Sequence, residues 1–102
     1  MQYELKCLYK ERKWREAIEF VLRMKLGPKS TKIEDLVAIG GGIIQNVPEG
    51  KQRDIFLVLI IEAFLRLDDI AQLKVYLLAL DSDQEREKYA DIIKESLLIR
   101  QW

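Results

Sequence analysis

Apolar residues return every three or four positions along almost the whole of this chain and almost never every second position. A return of three or four places them in one stripe along a helix, whereas a half-buried strand needs strict alternation. Only two prolines interrupt the pattern. The expected fold class is therefore all-α, with six helices. Because every connection between the periodic segments is short, consecutive helices are expected to lie antiparallel. A length of 102 residues, 49% of them apolar, gives one core and one domain over residues 1–102, and sets the chain apart from disordered sequences.

The first segment, 2–12, puts Leu5, Leu8 and either Cys7 or Tyr9 on one side. The second, 14–26, has a stripe of Trp14, Ala17, Ile18, Val21 and Met24, and Gly27-Pro28 should stop it. Thr31-Lys32-Ile33-Glu34 reads as a capping box opening the third, whose stripe runs Ile33, Leu36, Val37, Gly40, Ile43, Ile44. Gly40-Gly41-Gly42 in mid-helix costs about 2–3 kcal/mol against three alanines. Gly40 lies on the stripe, so close approach of another helix is expected there. As a phosphate loop the run lacks a preceding strand and a following Lys-Ser/Thr.

Asn46-Val47-Pro48-Glu49-Gly50 is turn chemistry, and a fourth segment runs from Lys51 to Leu67. It is apolar on all sides from Ile55 to Leu65 except at Glu62, as suits a central helix. Asp68-Asp69 breaks it and caps a fifth segment, 70–80, with Ile70, Leu73, Leu77 and Leu80 on its stripe. Ser82-Asp83-Gln84-Glu85 is a second capping box. The sixth segment then points Tyr89, Ile92, Ile93, Ser96, Leu97 and Ile99 inward, and Glu85, Glu87, Lys88, Asp91, Lys94 and Glu95 outward. The predicted core holds Leu57, Leu59, Ile60, Phe64, Leu73, Leu77, Ile93 and Leu97.

The chain has no histidine and one cysteine, Cys7. Ser-His-Asp and Cys-His catalysis, an internal disulfide and the common zinc ligand sets are thereby excluded. Asp81-Ser82-Asp83 lacks the glycine and distant glutamate of a calcium loop. Cys7 reads as a packed thiol, and Glu62 as a glutamate facing a groove or paired with Lys6 or Lys10. No enzyme, metal or cofactor is expected. Lys plus Arg and Asp plus Glu number 17 each, which argues against nucleic acid as a partner. The distribution is uneven: residues 1–30 carry eight basic and four acidic side chains. The apolar run Ile55–Ile61 is far shorter than the roughly 18 residues of a membrane span. No secretory leader is legible at the N-terminus, so a cytoplasmic chain without a membrane segment is expected.

Leu5 to Val21 resembles a tetratricopeptide unit: a leucine pair, a turn, then Trp14 three residues before Ala17 and an apolar stripe ending at Met24. Ile60 to Leu73 looks like a second unit displaced by 56 residues, with Ile70 in the place of the aromatic and Leu73 in that of the alanine. From Gly42 onward, Pro48-Glu49-Gly50, Gln52-Arg53-Asp54 and Arg66-Leu67-Asp68-Asp69 are similar to the mitochondrial fission adaptor family, over roughly residues 42–98. These resemblances imply a tetratricopeptide-like bundle without a regular array. They imply an adaptor recruiting dynamin-like division machinery on the cytosolic side of the outer mitochondrial membrane, with an anchor following Trp102. In a tetratricopeptide pair the groove is lined by the first helix of each unit. That carries over to Lys6, Tyr9 and Lys10 from the first unit and Val58, Glu62, Leu65 and Arg66 from the second.

The expected function is thus a non-enzymatic interaction adaptor whose groove holds an amphipathic partner segment with acidic residues. The alternative is a structural subunit or small chaperone of a heteromeric or homodimeric assembly that buries the same apolar surface permanently.

Overall fold

The structure, a computed structural model, describes residues 2–24, 29–80 and 82–100, and their side chains except at 29 and 96–100. Six helices follow in order: α1 (Tyr3–Lys10), α2 (Trp14–Arg23), α3 (Lys29–Asn46), α4 (Lys51–Arg66), α5 (Ile70–Leu78) and α6 (Asp83–Arg100). The described residues contain no strand. The predicted stop at Gly27-Pro28 lies outside the described residues, as do Asp81 and Trp102.

Two of the connections are built alike. In the first, Arg12 takes a left-handed conformation (φ 59°), and the amide of Lys13 donates to the carbonyl of Leu8 at 3.0 Å. In the second, Asp68 takes it (φ 60°), and the amide of Asp69 donates to the carbonyl of Phe64 at 3.2 Å. Such a turn satisfies carbonyls that the end of a helix leaves free and reverses the chain. Each residue of the second turn is its counterpart in the first plus 56, the displacement of the two tetratricopeptide-like units. The hairpins α1–α2 and α4–α5 therefore share one turn geometry at one register.

Helix α3 stands between these hairpins, packing on α2, α4 and α5. Its glycines make this possible. A Cβ at Gly42 would lie 2.8 Å from the Trp14 ring, and one at Gly40 would lie 2.5 Å from the Tyr76 ring, both inside van der Waals contact. The Tyr76 hydroxyl also donates to the Gly40 carbonyl at 3.0 Å. So each hairpin seats one aromatic on α3, Trp14 from α2 and Tyr76 from α5. Trp14 is further held edge-on by Tyr9, with ring centroids 5.3 Å apart. The middle glycine, Gly41, meets nothing within 4 Å. The expected close approach at Gly40 is present, and Gly42 adds a second that the sequence reading did not single out.

The central position of α4 agrees with its pattern: it packs on α2, α3 and α5 and buries Leu57, Ile60, Ile61, Ala63, Phe64 and Leu65. Of the predicted core, Leu57, Ile60, Phe64, Leu73 and Ile93 are buried, whereas Leu59 and Leu77 are only partly so. Leu97 lies outside the described side chains. Two local expectations are corrected. Helix α3 begins at Lys29, so Thr31 sits within its first turn and the predicted box does not mark the helix start. Glu85 was expected to face solvent and is buried, because it lies four residues before Tyr89 on the inward stripe of α6. Of the other caps, the Asp69 side chain accepts from the Gln72 amide at 3.0 Å as predicted, and the second box is half formed: Ser82 Oγ accepts from the Glu85 amide at 3.4 Å, while the Glu85 carboxylate pairs with Arg53.

Candidate functional site

A polar seam joins α6 to the start of α4. Arg53 and Glu85 are both buried, and their side chains form an ion pair at 3.3 Å. The Arg53 guanidinium also donates to the Val47 carbonyl at 3.4 Å. Satisfaction is incomplete, since Arg53 Nε and Glu85 Oε1 are buried without a well-formed hydrogen bond. Burial pushes the Glu85 carboxyl above its ordinary range, Arg53 pulls it back, and Glu49 and Asp54 oppose ionisation further. One residue on, Asp54 accepts from the Tyr89 hydroxyl at 2.5 Å and from Lys88 Nζ at 2.9 Å. Those two bonds, Tyr89 first, hold the Asp54 carboxyl below its ordinary range. Burial and the Asp54 carboxylate push the Tyr89 phenol up. This arrangement positions α6. The described residues contain no cluster of His, Cys, Asp or Glu able to hold a metal. Cys7 is a half-buried free thiol.

The outward stripe of α4 is of a different kind. Ile55 is 55% exposed, and Val58 and Leu59 are only partly covered. With Asp54 and Glu62 they line a shallow open hollow of about 300 Å³. A second hollow, of about 380 Å³, opens between α1 and α2, with Leu8, Phe20 and Met24 as its floor and Glu16, Glu19 and Arg23 at its rim. Glu19 and Arg23 face each other there at 3.9 Å.

Of the residues predicted to line a groove, Val58 and Glu62 share the α4 hollow. Lys6 and Lys10 are exposed on α1 and Tyr9 is half-buried against Trp14. All three lie outside both hollows. Helix α1 packs on α2 rather than forming an extensive interface with α4 among the described residues. Leu65 is 4% exposed and belongs to the core, so it is no wall of an accessible groove. Arg66 is exposed one turn beyond Glu62, and neither Glu62 nor Lys51 makes an ion pair among the described residues. The charged side chains bordering the α4 hollow are the carboxylates of Asp54 and Glu62. Ile55 and Leu59 were missed as surface residues, although their spacing from Val58 and Glu62 places all four on one side of a helix. Arg53 and Glu85 were missed because their charge outweighed their position. Arg53 stands four residues before Leu57, and Glu85 four before Tyr89, on stripes that are otherwise apolar.

Comparison with protein-family models, curated proteins and solved structures finds no match for this chain. Its reading therefore rests on its own geometry. No helix among the described residues is long and apolar enough to cross a membrane.

Proposed function

We propose that this chain is a non-enzymatic protein-interaction module that binds its partner through the outward stripe of α4. The observation that carries the reading is Ile55, more than half exposed on the central helix and contiguous with Val58 and Leu59 in one hollow. Single exposed apolar residues are ordinary, but a contiguous group with charged residues at its ends is the usual form of a docking surface. Helix-in-groove and helix-on-helix recognition both use anchors at spacings of three and four, which Ile55, Val58, Leu59 and Glu62 supply. The finer assignment, recruitment of organelle-division machinery on the cytosolic face of the outer mitochondrial membrane, rests on the resemblance of residues 42–98, with which a six-helix bundle is compatible.

A photo-crosslinking side chain at position 55, compared with one at position 10, tests the reading. A covalent protein adduct at 55 and none at 10, abolished by Val58→Asp without change in melting temperature, is the expected result. Adducts formed only at 10 would return the site to the α1 wall. Absence of adducts at both would remove the interaction reading altogether.

A further inference from the structure

We infer that the partner of the α4 stripe is a second copy of this chain, packed with its own α4 antiparallel across a two-fold axis. This rests on the reading of that stripe as a docking surface. The argument comes from the order of charges along it. Lys51, Ile55, Val58, Leu59 and Glu62 follow one another at intervals of four, three, one and three, so they share one side of α4. Lys51 and Glu62 are exposed at the two ends and have no ion-pair partner among the described residues.

Consider two such helices face to face. In a parallel pair Lys51 would meet Lys51 and Glu62 would meet Glu62, which is repulsive at both ends. In an antiparallel pair with the axis midway between Phe56 and Leu57, Lys51 meets the second copy's Glu62, and Glu62 meets its Lys51. The same register places Ile55 against Val58 and Val58 against Ile55, so these two apolar positions and both charged ends match at once, while Leu59 falls opposite Asp54. Shifting the axis by two residues, to the midpoint of Val58 and Leu59, sets Lys51 against Arg66 and Ile55 against Glu62, which loses both matches. A symmetric interface requires this kind of self-complementarity. Asp54 does not spoil it, because Lys88 and Tyr89 already engage its carboxylate.

The contact is one helix wide and therefore small beside a standard stable interface, so a weak, concentration-dependent dimer is expected. Sedimentation equilibrium on the chain, with Lys51→Glu, Glu62→Lys and the double variant, measures it. Expected is a mass that rises from 12.0 kDa toward twice that value with concentration. Each single reversal should weaken association at least about fivefold, and the double reversal should restore it to within about twofold, because only the pair re-creates opposite charges at both ends. Circular dichroism on each variant confirms the helical fold. A mass that stays at 12.0 kDa at every concentration, or a double variant no better than the singles, overturns the inference. The crosslink at position 55 separates the two levels. An adduct of twice the chain mass supports the second copy. An adduct of any other mass overturns it and leaves the docking stripe standing, and no adduct removes both.

Discussion

The three consecutive glycines of α3 look identical in the sequence and have three different surroundings. Gly40 accommodates Tyr76, Gly42 accommodates Trp14, and Gly41 faces open space. Alanine at position 40 must displace a buried ring that is also hydrogen-bonded to the same residue's carbonyl. Overpacking of this kind costs about 1–3 kcal/mol. Alanine at position 41 meets nothing and removes the entropic penalty of a mid-helix glycine, a gain of up to about 1 kcal/mol. Urea denaturation should therefore move the midpoint down for Gly40→Ala and up for Gly41→Ala. Equal shifts of the same sign would show that ring packing does not distinguish them. The sequence disclosed that Gly40 is on the stripe, but which aromatic fills the space depends on a contact 36 residues away. Local periodicity carries no such information.

At the level of the elements, α6 is attached to α4 by groups that titrate in opposite senses. Asp54 has its carboxyl lowered by Tyr89 and Lys88, so its contribution is present above the unfolded carboxylate value of about 4 and is lost as pH falls through the lower folded value. Glu85 has its carboxyl raised by burial, so ionising it weakens the seam, and that loss is relieved as pH falls through the raised value. Stability measured against pH should accordingly rise as pH falls through the raised Glu85 value and fall again below about pH 4. Glu85→Gln should reduce the rise, leaving the part that belongs to Asp35, whose buried carboxyl is also raised, and Asp54→Asn should reduce the loss in stronger acid. If both variants kept the wild-type profile, the seam would not be what links α6 to pH. The six helices were legible from spacing and caps, including those at Asp69 and Ser82. The polar seam was not, because a charged residue on an apolar stripe reads as an outward one until its counter-charge is located on another helix.

For the whole molecule, the arrangement of two similar hairpins about one shared helix makes cooperativity the expectation. A radius of gyration of 13.3 Å matches the roughly 13 Å of a compact domain of about 100 residues. Trp14 is buried against α3 at Gly42, while most of the helical content lies elsewhere. In a Trp102→Phe variant, where Trp14 is the one tryptophan, fluorescence should therefore follow the same denaturation curve as the circular dichroism of the entire chain. Loss of the Trp14 signal at lower denaturant than the helical signal would mean that the first hairpin detaches independently. The sequence displayed the two tetratricopeptide-like units, and of the groove residues carried over from that resemblance Val58 and Glu62 share a hollow while Leu65 is buried in the core. Helix α3 packs against both units, and among the described residues α1 forms no extensive interface with α4.

The seating of Tyr76 on Gly40 also bears on how the chain is completed during synthesis. The Trp14 seat at Gly42 is made between α2 and α3 and needs nothing that follows Asn46. The notch at Gly40 then stays bare until the second hairpin has left the ribosome and turned back on itself. Local hairpins close quickly, whereas contacts across long sequence separations wait for loop closure. Until then the faces of α3 that pack on α4 and α5 are both without their cover, and α5 brings the one ring that fills the Gly40 notch.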